Sequence, residues 1–232
     1  MLVKNWMSIN VFTVDVNDSL STATNLQKEN GIRALPVMKA GELVGIITSG
    51  DIKRASASDA TALEIHELLY LISKIKVKDI MTQVPITVFP TITIVEVAQI
   101  LLLNKINSVP VVDEDGKLIG IITESDIFKA LIALTGGQYP GIDFGLQVQD
   151  FPGSIKEITD IIRSHNGRLL SLFISYDKVP PGYRNVYIKV FQIEQSDSED
   201  LKKALLADTK ILYVLDYLEK SRDIMDPQTV SL

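Results

Sequence analysis

Gly45-Ile46-Ile47-Thr48-Ser49-Gly50-Asp51 returns later in the chain as Gly120-Ile121-Ile122-Thr123-Glu124-Ser125-Asp126. In each copy an apolar run, read as the second strand of a hairpin, passes directly into a helical pattern. Thr therefore falls at the N-cap and Asp at N3 of the helix, where unpaired backbone N–H groups point outward. Two roles fit these residues. Thr-x-x-Asp is a capping box that any helix can use. The same groups can also seat a nucleotide, with amides and Thr at a phosphate and Asp at the ribose diol. A second copy in a matching context moves the balance toward binding.

Working outward from the two phrases, the whole first segment repeats. At a displacement of 74 positions, Val3, Met7, Thr13, Val14, Asn30, Ile32, Pro36 and Val37 meet Val77, Met81, Thr87, Val88, Asn104, Ile106, Pro110 and Val111. One extra residue in the second hairpin makes the displacement 75 from Gly41 and Gly116 onward. Each copy reads as a short strand, a helix, two strands and a helix. Thr13 to Val16 alternates like a strand, Asn17-Asp18-Ser19 caps a helix bearing Leu20, Ala23 and Leu26, and Asn30-Gly31 ends it. Ala40-Gly41 joins the first hairpin and Asp113-Glu114-Asp115-Gly116 the second. Thr93-Ile94-Val95-Glu96 is a capping box ahead of an apolar stripe. A unit of this size buries little core alone, so the two copies are expected to pack face to face.

Between the copies, Thr61-Ala62-Leu63-Glu64 is a capping box and Ile65, Leu68, Leu69 and Ile72 form one stripe, so a helical linker is expected. His66 and Tyr70 on a neighbouring face read as surface or packing residues, because no second ligand type accompanies the histidine. The turn-rich Thr135 to Gly141 stretch is the expected domain boundary. Beyond it Phe144 to Gln149 reads as a strand, broken by Asp150-Phe151-Pro152-Gly153, and Ser154-Ile155-Lys156-Glu157 as a capping box opening a helix that Asn166-Gly167 closes. Arg168 to Tyr176 and Asn185 to Ile193 are strands, Ser196 to Glu199 caps a helix running through Leu205, and Ile211 to Leu215 is the last strand. The tail after Asp223 carries little signal. The order βαββαβ predicts a ferredoxin-like sandwich, and the chain as a whole is expected to be α+β. The expected divisions are residues 1–57, a linker over 58–76, residues 77–135, a domain over 140–218 and a tail over 219–232.

Bulk properties narrow the function. The 232 residues are 46% hydrophobic and 22% charged, the profile of a soluble globular protein. A net charge of −6 argues against nucleic acid as a partner. The chain has no cysteine, which rules out disulfides and thiolate chemistry and fits a reducing cytoplasm. No apolar signal-peptide core follows Met1, and apolar runs such as Ile100 to Leu103 are too short to span a bilayer. There is no phosphate-binding Gly-rich loop ending in Lys-Ser/Thr, no Gly-x-Ser-x-Gly and no His-Glu-x-x-His, and the two histidines are far apart. The expectation is a protein that is not an enzyme, with no metal site and no catalytic cofactor.

The paired copies, each with hydrophobic-Pro-Val before a hairpin and Gly-hydrophobic-x-Thr-x-x-Asp after it, resemble tandem CBS domains, the paired regulatory module of many proteins; the likeness covers roughly residues 1 to 135. The C-terminal part resembles an ACT domain, whose strand-to-helix turn commonly reads Asp-x-Pro-Gly, here Asp150-Phe151-Pro152-Gly153. The full arrangement is similar to the acetoin utilisation protein B-like family. The CBS resemblance implies an adenosine ligand (AMP, ADP, ATP or S-adenosylmethionine) in a cleft between the copies, acting as an effector. By position it implies a first seat of Thr13, Arg33, Ala34, Pro36, Thr48, Asp51 and Arg54, and a second of Thr87, Asn107, Ser108, Pro110, Thr123, Asp126 and Lys129. Many such copies carry Arg before the Asp; here Gly50 and Ser125 stand there, and Glu124 adds a negative charge to the second seat. The first seat, flanked by Arg33, Lys53 and Arg54, is therefore the expected phosphate site. The ACT resemblance implies that Asp150, Pro152 and Gly153 could receive an amino acid, or form only a tight turn. Two functions follow from the resemblance: a ligand sensor signalling through the ACT part or a partner protein, or an assembly scaffold with vestigial pockets. A homodimer is expected under both.

Overall fold

In a computed structural model the chain divides into two compact units, Met1–Lys129 and Ala130–Leu232. The structure describes residues 1–58 and 74–225, without the side chains of 56–58 and 195. Most of the expected linker helix, with His66 and Tyr70, lies outside the described residues.

The first unit contains both repeats. After a 3-10 turn at Val3–Asn5 come β1 (Val14–Asp15), α1 (Leu20–Asn30), β2 (Ala34–Lys39), β3 (Glu42–Thr48) and α2 (Ser49–Ser58). The second copy follows as α3 (Val77–Ile80), β4 (Thr82–Gln83), α4 (Ile94–Asn104), β5 (Ser108–Val112), β6 (Leu118–Thr123) and α5 (Glu124–Thr135). Local chemistry sets the boundaries. Ser19 caps α1 through its hydroxyl, and Gly31 ends it in the left-handed conformation at φ 62°. Thr93 and Glu96 cap α4 reciprocally, and the two bonds from Thr93 hold the Glu96 carboxyl below its ordinary pKa. The first hairpin turns through Ala40 and Gly41, both at positive φ, as a two-residue turn requires.

The segments leading into the copies are exchanged. β4 pairs with β3 of the first copy, Thr82 opposite Ile46 and Gln83 opposite Gly45. Ser8, at the equivalent place before the first copy, pairs instead with Ile121 of β6. The exchange runs further: the Val3 N–H donates to Ile92 O at 2.9 Å, and the Val77 N–H to Asp18 O at 2.9 Å. Each repeat is thus completed by the lead-in of the other. Val3 and Val77 are both fully buried, and Val77 joins Val14, Leu20, Leu35, Val37 and Ile47 in one core. The two copies fold as one body for this reason.

The second unit is built of β7 (Ile142–Gln149), α6 (Ser154–Ser164), β8 (Arg168–Ser175), β9 (Tyr183–Phe191), α7 (Gln195–Asp208), β10 (Lys210–Asp216) and β11 (Ser221–Ile224). Its sheet has the order β11-β10-β7-β9-β8, antiparallel throughout. The four strands β10-β7-β9-β8 and two helices have the βαββαβ arrangement of a ferredoxin-like sandwich. One sheet face packs Phe144, Leu146, Ile188 and Val190 against Ile158, Ile162, Leu201 and Leu205 of the helices.

Several details differ from the expectation. The tail contributes β11, paired with β10 through Asp216 opposite Ser221 and Tyr213 opposite Ile224, in a short strand whose residues lack an apolar alternation. Helix α6 is capped by Gly153 at φ 106° rather than by Ser154, because the Ser154 hydroxyl accepts a bond from Arg184 instead. Helix α7 begins at Gln195 without a side-chain cap and runs on to Asp208. The compact units meet at Lys129 and Ala130, inside α5, since Gly136 packs on Leu170 and Ser171 bonds Thr135 O at 3.0 Å within the second unit. Among the described residues no helix is long and apolar enough to cross a membrane.

Candidate functional site

The two Thr-x-x-Asp phrases adopt the same geometry. Strand β3 delivers Thr48 to the start of α2, and β6 delivers Thr123 to the start of α5. Asp51 Oδ2 accepts from the Thr48 N–H at 2.8 Å and from its hydroxyl at 2.7 Å, and the Asp51 N–H returns a bond to Thr48 Oγ1 at 3.3 Å. Asp126 Oδ2 accepts from the Thr123 N–H at 3.0 Å and its hydroxyl at 2.7 Å, with the return bond at 3.4 Å. These are full capping boxes. Each carboxylate is held on one oxygen and offers the other, Oδ1, to a cation one turn along: Arg54 for Asp51, and Lys129 at 2.9 Å for Asp126. Both carboxylates are buried, whereas Arg54 and Lys129 are exposed at 75% and 69%. A carboxylate oxygen keeps a second lone pair beside its ion pair, so Oδ1 is the atom that accepts from a ligand diol while the cation stays in place. The single proton of each Thr hydroxyl is committed to its Asp, which leaves the helix amides as the donors for an anion.

A cavity of about 480 Å³ lies between the repeats. Thr123, Glu124, Ser125, Asp126 and Lys129 line it from the second phrase, Asn107 and Ser108 from the lead into β5, and Arg33 and Ala34 from the lead into β2. Asn10, Val11 and Phe12 contribute from the stretch before β1. Ser108 is 6% exposed, and its hydroxyl has no hydrogen-bond partner among the described residues. At the equivalent position of the first copy stands Ala34.

The sequence divided the candidate residues by repeat; the structure divides them across repeats. Arg33 and Ala34, grouped with Asp51 in the sequence reading, line the cavity of Asp126 together with Ser8, whose pairing with Ile121 carries the lead-in of the first copy onto the second. Of the three cations behind the first seat's expected preference for phosphate, Arg33 lines this cavity instead, Arg54 stays with Asp51, and Lys53 is exposed on α2. Thr48, Asp51 and Arg54 form their own cluster outside the lining of this cavity. Thr13 is exposed beside the cavity, whose wall is made by Phe12 instead. Thr87 lines a separate groove of about 590 Å³ with Val16, Leu43 and Val84. Pro36 and Pro110 are buried within β2 and β5, opposite Ile46 and Ile121, as strand residues rather than cavity lining.

In the second unit, Asp150, Pro152 and Gly153 line a concavity of about 500 Å³ together with Phe151, Lys156 and Arg184. Arg184 pairs with Asp150 at 3.2 Å and donates to Ser154 Oγ at 2.6 Å, while its Nε is buried without a partner among the described residues. Tyr176 Oη donates to Asp150 Oδ1 at 3.4 Å. Sequence reasoning missed Arg184 and Tyr176, which reach the turn only through the pairing of β7, β8 and β9. Among the described residues no group of three His, Cys, Asp or Glu is arranged to hold a metal ion.

A family model for the CBS domain matches residues 3–58 and 77–133. A CBS domain-containing protein of Dictyostelium discoideum is 35% identical over 133 residues, which cover 57% of this chain and 92% of that protein. An inosine-5'-monophosphate dehydrogenase of Korarchaeum cryptofilum is 43% identical over 118 residues, 51% of this chain but 22% of the dehydrogenase. Among solved structures, the CBS domain pair of protein MJ0100 in complex with 5'-methylthioadenosine and S-adenosyl-L-methionine is 32% identical, with a TM-score of 0.50 over 60% of this chain and 98% of that one. A putative acetoin utilization protein (AcuB) from Vibrio cholerae is 27% identical, with a TM-score of 0.50 over 60% and 95% of the two chains. The chain belongs to the CBS-domain proteins, and its first unit is a tandem CBS pair.

Proposed function

We propose that the tandem pair is a regulatory sensor for an adenosine-containing effector, drawn from AMP, ADP, ATP and S-adenosylmethionine, and that it makes and breaks no covalent bond. The observation that carries this reading is the cavity itself, which gathers Asp126, Thr123 and Ser108 of one repeat with Arg33 and Ala34 of the other. A ligand touching both repeats binds one arrangement of them better than another and so shifts the population between arrangements. In this reading Asp126 Oδ1 takes the ribose hydroxyls, the amides at the start of α5 face the ligand's 5' substituent, and Phe12 and Ser108 frame the base. The Thr48–Asp51–Arg54 cluster is a second seat of the same kind. The adenosyl ligands of the MJ0100 pair are consistent with this assignment.

The second unit is, in the same proposal, an ACT-like domain over residues 140–218 that receives the signal or passes it to a partner. Its turn at Asp150, Pro152 and Gly153 is the place where an amino-acid carboxylate would meet Arg184 and the start of α6. A cytoplasmic homodimer is the expected form. Phe128, Leu131, Ile132 and Leu134 on α5 are all more than 40% exposed, which suits a face covered by a second copy.

A second reading has its own support. Both Thr-x-x-Asp boxes are satisfied internally, as pure caps would be, and the α5 face would serve an assembly scaffold equally well. Thermal melts separate the two. Under the sensor reading an adenosine compound raises the melting temperature, and Asp126→Ala or Asp51→Ala removes the rise belonging to its seat. A chain that dimerises in light scattering, yet whose melting point no adenosine compound moves, is the scaffold.

A further inference from the structure

Two opposite charges face the same cavity without a partner. Arg33 and Glu124 both line it, and neither side chain has an ion pair or hydrogen bond among the described residues. The other two charges of the lining, Lys129 and Asp126, are spent on each other at 2.9 Å. The lining is therefore neutral overall but divided, with one free guanidinium and one free carboxylate.

This division discriminates among adenosine ligands. A phosphate ester brings only negative charge; Arg33 would welcome it and Glu124, beside the amides at the start of α5, would oppose it. An aminocarboxylate tail brings both signs. Its carboxylate matches the planar fork of Arg33 and its ammonium matches Glu124, each through a charge-assisted hydrogen bond. Resting on the adenosine reading above, we propose that the cavity is selective for an adenosyl compound carrying a zwitterionic aminocarboxylate tail rather than for a nucleotide phosphate. S-Adenosylmethionine is the probe with that chemistry. Its sulfonium adds a positive charge in a cavity where Glu124 is the uncommitted anion.

The test is isothermal titration of the full chain with S-adenosylmethionine, 5'-methylthioadenosine and AMP at one moderate salt concentration. Methylthioadenosine keeps the adenosine and lacks both tail charges. The expected result is that S-adenosylmethionine binds about tenfold tighter than either of the others, roughly the effect of one added charge-assisted bond in a partly solvated site. Arg33→Ala and Glu124→Gln, both at exposed positions, should each bring it down to the affinity of methylthioadenosine while leaving methylthioadenosine itself unchanged. Unliganded melting points within a degree or two of the parent check that the variants fold. AMP binding as tightly as S-adenosylmethionine, or tail-bearing and tail-less ligands binding alike, overturns the selectivity and leaves the adenosine reading standing. Heat from none of the three overturns both.

Discussion

The thioether of Met81 lies directly over Gly45, so that a Cβ at Gly45 would stand 2.6 Å from its sulfur and 2.9 Å from Thr82 O. Met7 covers Gly120 in the same way, with a Cβ 2.7 Å from its sulfur and 3.1 Å from Ser8 O. These two contacts close the exchange of lead-in segments between the repeats. The opening glycine of each phrase is there because another backbone passes over it, and not for a turn.

Gly45→Ala and Gly120→Ala should therefore each destabilise the first unit by about 1–3 kcal/mol, since the obstructing atoms include backbone that cannot step aside. Gly50→Ala is the contrasting change. It lies in the first turn of α2 with its nearest foreign atoms at 3.5 and 3.7 Å, so alanine should be neutral or add up to about 1 kcal/mol of helix stability. Chemical denaturation of the three variants checks the order.

Ser108 distinguishes a ligand site from a packing site. Ser108 is buried but its hydroxyl opens to the cavity without a partner among the described residues, so Ser108→Ala should leave stability unchanged or slightly raised, while weakening the adenosine ligand several-fold. A purely structural serine would show the opposite pattern, a fall in melting temperature and no change in binding.

The face of the second sheet opposite its helices makes an alkaline prediction. Tyr213 sits over Gly145 and stacks against Tyr187 at a centroid distance of 6.3 Å. Burial first, then the neighbouring Tyr187, Asp143 and Tyr217, push its hydroxyl from 10.0 up to about 12. The folded state thus favours the neutral phenol. The associated stability is complete below pH 10 and is lost as pH rises from 10 toward about 12. Tyr213→Phe should flatten that part of the pH–stability curve and remove a phenolate that ionises near pH 12 from the ultraviolet difference spectrum.

On the same face Lys189, only 6% exposed, pairs with Asp143 at 2.8 Å and lies 4.4 Å from the centroid of the Tyr217 ring. Asp143→Asn leaves a buried ammonium short of its counter-charge and should cost about 2–4 kcal/mol. Lys189→Met should cost less, because the anion left behind is the more exposed partner at 28%. Equal losses in denaturant melts would contradict the burial argument.

Much of this architecture was legible in residues close together in the chain. Capping pairs, hairpin glycines and apolar stripes act within one turn or one hairpin, so Thr93 with Glu96, Ala40-Gly41 and the Thr-x-x-Asp boxes could be read directly. Long-range pairing could not. Nothing near Met7 or Met81 states which hairpin edge it will join, and a lead-in can complete either repeat with the same sequence. That choice moved Arg33 from one candidate seat to the other. Arg184 was invisible for a similar reason, since it reaches Asp150 and Ser154 only after β7 and β9 pair. Ser221 to Ile224 lacks apolar alternation and forms a strand because the β10 edge is available to it.

The account turns on where an adenosine ligand contacts the chain. Backbone amide NMR shifts of the isotope-labelled full chain, followed during titration with S-adenosylmethionine, test this most directly. The account predicts that the largest changes fall on Phe12, Arg33, Ala34, Ser108 and the amides of Glu124 to Asp126. Changes confined to the turn at Gly153, or no changes at saturating ligand, would contradict it.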